Sequence, residues 1–280
     1  MNRLARALAI LFVSGIAASA GCRRSPPPEP SASTTPSGNA PAGPLDEAPG
    51  QTELTSALPA TPGEAGGITY IERVTAGAAA DARLPLVVAI HGMGDRPESW
   101  ISWWDGFPVA ARVILPRAPT PYSHGFSWFR YPARSSDELA DGIQRAGDGV
   151  ATALAAIVRS RPTLGKPIVT GFSQGGVLSF ALAARHPSEI AAAFPLSGGL
   201  PLSLIPEVRF DPGRAPPIVA VHGDADAVVP IAFARDATAR LRALGFDVRL
   251  EEVPHVGHTV TPATRAEIAR LIAATARTQR

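Results

Sequence analysis

From Ile68 onward, short runs of apolar residues alternate with longer stretches whose apolar positions recur every three or four residues. Residues 86–90 (Leu-Val-Val-Ala-Ile) form one such run, bounded by Pro85 and by His91-Gly92. No polar residue interrupts it, so it predicts a strand buried on both faces rather than one with a wet side. Residues 113–115, stopped by Pro116, read the same way, as do 191–196 and 218–221, and 168–170 (Ile-Val-Thr) predict a further strand. Residues 248–253 alternate and predict a late strand. Between the strands, 137–160 has helical spacing and opens on Ser135-Ser136-Asp137-Glu138, where a serine hydroxyl can cap the amide three residues on. Further helices are predicted over 175–185, stopped by His186-Pro187, and over 231–244, up to Gly245. A final helix follows Thr261-Pro262, with proline at the first helical position, where its missing N–H costs nothing. Short apolar strands alternating with helices predict an α/β domain: a mostly parallel sheet with helices on both faces.

The first 67 residues break this pattern. Arg3 and Arg6 precede an apolar stretch from Leu8 to Ala18, small residues follow, and then comes Cys22. This is the layout of a secretory signal. Ala18 to Cys22 resembles a bacterial lipoprotein signal, which implies Cys22 as the lipid-carrying mature N-terminus and a membrane held through that anchor. Residues 1–22 are therefore expected to be a signal peptide and the protein to be exported, as an envelope lipoprotein or otherwise periplasmic or secreted. Residues 23–67 carry 10 of the 29 prolines, no aromatic, and three large aliphatics (Leu45, Leu54, Leu58). Such a segment buries too little apolar surface to offset its ordering entropy, and it is expected to be a disordered tether. The folded domain is expected over 68–280.

Charge and cysteine content narrow the chemistry. With 26 basic against 24 acidic residues the formal charge is +2, so no strong field points at nucleic acid. A single cysteine excludes an internal disulfide and a Cys-rich zinc site. No metal-ligand spacing and no phosphate-cradling loop is found, and no cofactor is implied.

Gly171-Phe172-Ser173-Gln174-Gly175 lies after a predicted strand and before a predicted helix. A serine on a sharp strand-to-helix turn needs glycine two residues away on either side, because larger side chains there would collide. The helix that starts at this turn points its first amides at any oxyanion that develops. A serine nucleophile needs a base, and the base needs an orienting acid; in the fold where such a serine turn joins strand to helix, the chain order is Ser, acid, His. The histidines after Ser173 are His186, His222, His255 and His258. His186 reads as a helix-end residue and His222 as an organiser of the turn Gly223-Asp224. His255 and His258 both fall on the loop before the last helix, and His258, after Gly257, is preferred. Asp224 and Asp226 share one loop; Asp226 is preferred as the acid, Asp224 being better suited to turn hydrogen bonds. His91 reads as structural and Asp95 as a local cap.

Five ordered stretches, His91-Gly92-Met93-Gly94-Asp95, Gly171 to Gly176, Leu196-Ser197-Gly198-Gly199-Leu200-Pro201, His222 to Pro230 and Gly257-His258, resemble the phospholipase/carboxylesterase family of α/β-hydrolases, with its acyl-protein thioesterases and small bacterial carboxylesterases. The resemblance spans about residues 84–275. It implies the α/β-hydrolase fold, Ser173 as nucleophile, Asp226 as acid, His258 as base, and the backbone N–H groups of Met93 and Gln174 as oxyanion hole. The expected function is hydrolysis of a small or medium acyl ester through an acyl-enzyme. A polyester or feruloyl-ester depolymerase of the same fold and a non-catalytic surface-binding lipoprotein are the alternatives. Trp103, Trp128 and Phe129 are candidate substrate-binding residues, the first within a cluster of three tryptophans in five residues (100–104). The intervals between motifs leave no spare block for a large cap domain.

Overall fold

Every residue of the strand Leu84–Ile90 (β3) is buried, and its side chains divide between two cores. Leu86, Val88 and Ile90 pack on one side of the sheet, and Val87 and Ala89 on the other. The uninterrupted apolar run follows from this position, since a strand covered on both faces has no wet side to mark with polar residues. The structure is a computed structural model that describes residues 60–279 except 208, 212 and 214. The expected signal peptide with Cys22, and nearly all of the expected tether, lie outside the described residues.

Around β3 runs an eight-stranded sheet. Its other strands are β1 (Thr61–Ala65), β2 (Ile68–Val74), β4 (Arg112–Pro116), β7 (Thr163–Phe172), β8 (Ala192–Leu196), β9 (Ile218–Gly223) and β10 (Val248–Val253). The spatial order is β1-β2-β4-β3-β7-β8-β9-β10. β2 is antiparallel to both its neighbours, and from β4 to β10 the pairing is parallel throughout. A separate hairpin, β5 (Thr120–Tyr122) and β6 (Gly125–Ser127), is tied to the loop after β3 by an isolated bridge between Asp95 and Phe126.

Helices α1 (Ser136–Ser160), α2 (Gln174–Arg185) and α3 (Ile231–Ala243) contribute to one core; α4 (Pro262–Thr278) and a 3-10 helix (Pro97–Trp104) contribute to the other. The predicted caps are formed: the Glu138 N–H donates to Ser135 Oγ at 3.1 Å, and the Thr264 N–H to Thr261 Oγ1 at 3.1 Å. This is the α/β-hydrolase architecture, and among the described residues no large cap domain interrupts it.

The expected domain start at Ile68 needs correction. The sheet begins at Thr61, because β1 pairs with β2 through a two-residue connection, Gly66-Gly67, with φ of 55° and 77°. Positive φ at both positions matches the right-handed twist of a hairpin, and glycine adopts it without penalty. β1 reads as Thr-Pro-Gly-Glu-Ala, with no apolar alternation, because an edge strand held by backbone pairing needs none and even tolerates Pro62.

Candidate active site

The parallel strands all deliver their carboxyl ends to one edge of the sheet, which is where the crevices of open α/β sheets form. β7 ends at Phe172 and α2 begins at Gln174, leaving Ser173 alone in the turn with φ 56° and ψ −115°. A non-glycine residue in that region is strained and persists only where its surroundings over-determine it. Here they do. A Cβ on Gly171 would lie 2.6 Å from the Gly175 and Ile90 carbonyl oxygens, and one on Gly175 would overlap the Ile90 carbonyl. Only hydrogen at both positions lets strand, turn and helix close up, and the Ser173 N–H is further held by Leu196 O at 3.0 Å.

Two other loops converge on the serine. The one after β10 carries His258, whose Nε2 is 3.0 Å from Ser173 Oγ. The one after β9 carries Asp226, whose Oδ2 is 2.7 Å from His258 Nδ1. A carboxylate oxygen can only accept, so His258 Nδ1 carries the proton, and Nε2 presents a lone pair to the serine hydroxyl. Asp226 is buried, and its second oxygen, Oδ1, accepts the N–H groups of Val228 at 2.9 Å and Val229 at 2.8 Å. Burial by itself would raise the Asp226 pKa. Hydrogen bonds from His222, His258 and the Val229 N–H outweigh it and hold the carboxyl well below the usual carboxylate range. The Phe172 ring lies against His258 with centroids 4.6 Å apart, restricting the imidazole from one side.

The competing residues sort themselves out by their bonds. Asp224 accepts the His255 N–H at 2.6 Å, and so closes the turn on which His255 sits with φ 59°. His186 ends α2 and contacts Asp148 at 2.9 Å. Asp95 accepts locally, from the Arg96 N–H at 2.7 Å and from Trp100 Nε1 at 2.8 Å. His91 donates from Nδ1 to Gly92 O at 2.7 Å and accepts the Ala118 N–H at Nε2, a neutral form that burial favours by lowering its pKa. His222 differs from its expected role: its Nε2 lies 2.8 Å from Val229 O and 3.4 Å from Asp226 Oδ2, inside the acid's own loop.

Met93 stands on the loop after β3, next to Gly92, whose missing Cβ would be 3.3 Å from Ser173 Cβ. That loop is pinned to β6, because the Gly94 N–H donates to Phe126 O at 2.8 Å and the Phe126 N–H to Asp95 O at 3.0 Å. Gln174 is the first residue of α2, so its own N–H has no carbonyl one turn earlier in the helix to bond. The Gln174 side chain does something the sequence does not announce. Its Nε2 donates to Phe129 O at 2.9 Å, and its Oε1 accepts the Trp128 N–H at 2.9 Å and the Ser127 hydroxyl at 3.2 Å.

Trp128 in turn donates from Nε1 to His91 O at 3.0 Å. Residues 127–129 therefore splice the Met93 loop to the Ser173 turn. This corrects the expectation that Trp128 and Phe129 contact substrate: they are 4% and 8% exposed and belong to the core. The Trp128 ring lies 5.3 Å from the His91 ring, centroid to centroid, and the Phe129 Cβ sits close over Gly142. Trp103 is half-buried and does face a space. It lines a cavity of about 580 Å³ with Trp100, Phe107, Phe172, Val260 and Arg265, whose guanidinium lies 5.3 Å from the Trp103 ring centroid. Trp104, by contrast, is buried against Phe107.

Comparison with known proteins places the chain in a family. The chain is 26% identical to acyl-protein thioesterase 1 of Gibberella zeae over 211 residues, covering 68% of this chain and 90% of that protein. It is 26% identical over 198 residues to a probable inactive carboxylesterase of rice (Oryza sativa subsp. japonica), covering 64% and 79%. The crystal structure of esterase PE8 shares the fold with a TM-score of 0.60 at 24% identity, covering 74% of this chain and 99% of that one. The family model for phospholipase/carboxylesterase matches residues 72–276, and the chain belongs to that family.

Proposed function

We propose that the protein is an exported serine hydrolase that cleaves carboxylic esters through an acyl-enzyme. The observation that carries this reading is the unbroken chain of hydrogen bonds from Ser173 Oγ through His258 to Asp226, set on a strained turn. In this reading Ser173 attacks the acyl carbonyl while His258 Nε2 takes the hydroxyl proton. Asp226 holds the imidazole in its tautomer and stabilises the imidazolium that forms. The Met93 and Gln174 amides receive the tetrahedral oxyanion, the first positioned by the splice through residues 127–129 and the second by the start of α2. His258 returns its proton to the leaving alcohol, and water, activated by the same imidazole, releases the acid.

A role in binding without catalysis is the competing reading, and the rice relative is named a probable inactive carboxylesterase. A fluorophosphonate probe separates the two, because phosphonylation requires an activated serine hydroxyl. Rapid stoichiometric labelling at Ser173 is expected. A wild-type protein that stays unlabelled under conditions that saturate another serine esterase is a binding protein. Matched p-nitrophenyl acetate and acetyl thioester substrates then rank oxygen ester against thioester.

With no large cap over the carboxyl edge among the described residues, the groove leaves part of a long acyl chain in water. Each CH₂ left unburied forgoes about 0.8 kcal/mol of transition-state binding. Short and medium acyl esters are expected to turn over readily in solution, with no activation at an oil–water interface. Rates on p-nitrophenyl esters from acetate to palmitate, taken below and above the solubility limit of each, check this. A jump above the limit, or palmitate preferred to butyrate, contradicts it. The export reading rests on the lipoprotein-like run ending at Cys22 and on the proline-rich stretch after it.

A further inference from the structure

We propose that His222 is a positioning residue for the catalytic acid, acting through Asp226 on His258; the inference rests on the triad reading above and deepens it. His222 is 1% exposed, at the carboxyl end of β9, four residues before Asp226. Its Nε2 meets two acceptors, Val229 O at 2.8 Å and Asp226 Oδ2 at 3.4 Å. Since neither oxygen can donate, Nε2 carries a hydrogen, bonded to the carbonyl and shared at longer range with the carboxylate. Nδ1 is buried and has no hydrogen-bond partner among the described residues. A bare lone pair there is tolerated more easily than an orphaned N–H, which favours the same neutral tautomer.

The consequence is a closed loop of bonds. Through Val229 O, His222 clamps the peptide whose neighbouring N–H groups, those of Val228 and Val229, point at Asp226 Oδ1. Oδ1 is thus fixed by the backbone, which turns Oδ2 toward His258 Nδ1 at 2.7 Å. The long contact from His222 to Oδ2 sets a partial positive charge beside the carboxylate. Without His222 the loop 226–229 loses its inner tether, and the carboxylate gains freedom to rotate off the imidazole. The defect falls on proton transfer rather than on substrate binding, because His222 is buried beneath the acid loop and is not among the residues lining the cavity beside Trp103.

The test compares three variants on p-nitrophenyl acetate: His222→Phe, which keeps a ring and removes the donor, His222→Gln, which keeps a donor near the Nε2 position, and Asp226→Asn. For His222→Phe, kcat is expected to fall about tenfold or more, the loss of one hydrogen bond to a charged network, with KM within about twofold. His222→Gln is expected to recover most of the loss. In the proton NMR spectrum the downfield resonance of the His258–Asp226 hydrogen bond should move in His222→Phe and return toward wild type in His222→Gln. A folded His222→Phe with wild-type kcat, or a His222→Gln as slow as His222→Phe, overturns the proposal. If His222→Phe does not fold, nitrogen-15 shifts of wild-type His222 decide: a protonated Nε2 and a bare Nδ1 support it, and the reverse tautomer overturns it. The Asp226→Asn arm separates the two levels. Full activity there removes the triad reading itself, whereas its loss together with an unaffected His222→Phe removes only the present inference.

Discussion

Ser173→Ala is expected to lower kcat on p-nitrophenyl acetate by about 10⁴–10⁶-fold and to leave the fold intact, as removal of a triad nucleophile does when the rest of the site survives. The substitution deletes one oxygen, the one 3.0 Å from His258 Nε2. It leaves in place the turn's backbone bond to Leu196 O and the glycine contacts that force the positive φ. Alanine bears the same backbone strain as serine there, so the unfolding transition should be unchanged. Circular dichroism and thermal melts of the purified variant check the fold, and initial rates check the chemistry. A variant within tenfold of wild type would show that hydrolysis does not pass through Ser173, and the proposed acyl-enzyme would have to be abandoned.

The second large effect separates two aspartates two residues apart. Asp226→Asn is expected to cost about 10²–10⁴ in kcat, because the tautomer of the base is set by what Oδ2 accepts. In the Asp226→Asn variant the backbone N–H groups of Val228 and Val229 retain the amide oxygen at the Oδ1 position. The NH₂ is then driven toward His258 Nδ1, which must give up its proton to accept. The proton moves to Nε2, and a protonated Nε2 cannot take the serine hydrogen. Asp224→Asn removes only the charge from a carboxylate that accepts the His255 N–H at 2.6 Å. It should cost about 1 kcal/mol of stability or less and leave kcat within a few-fold. Steady-state kinetics on both variants, with urea unfolding alongside, give the comparison. If Asp224→Asn proves the slower enzyme, the orienting acid is Asp224.

Much of this site can be read from the chain because its requirements are local. A serine on a strand-to-helix turn demands glycine at fixed offsets, whatever the rest of the fold, so Gly171 and Gly175 mark it. The buried strands β3 and β8 show themselves as apolar runs, since two covered faces leave no place for polar residues. The cap residues Ser135 and Thr261 are legible for the same reason: their partners are three residues away.

What the chain does not announce depends on residues far apart in sequence. Ranking Asp226 over Asp224 and His258 over His255 is an inference from loop position, whereas the distances come from β9 and β10 lying side by side in the sheet. β1 carries no apolar signal, and its place is decided by the backbone of β2. Gln174 looks like a helix-starting residue, and only the return of residues 127–129 across 45 positions makes it a splice. Trp128 and Trp103 are the same residue type in equally aromatic surroundings. One is sealed against His91 and the other faces a cavity, a difference that packing alone creates.

The sequence by itself thus determined the layered α/β order, the strained serine turn and the set of candidate site residues, because propensity, capping and close backbone approach act over a few residues. Only the tertiary structure decided which imidazole meets which carboxylate, which tryptophan faces a cavity, and that His222 reaches the acid loop. Those outcomes depend on distances of a few ångströms between loops that the sheet, and nothing nearer in the chain, holds together.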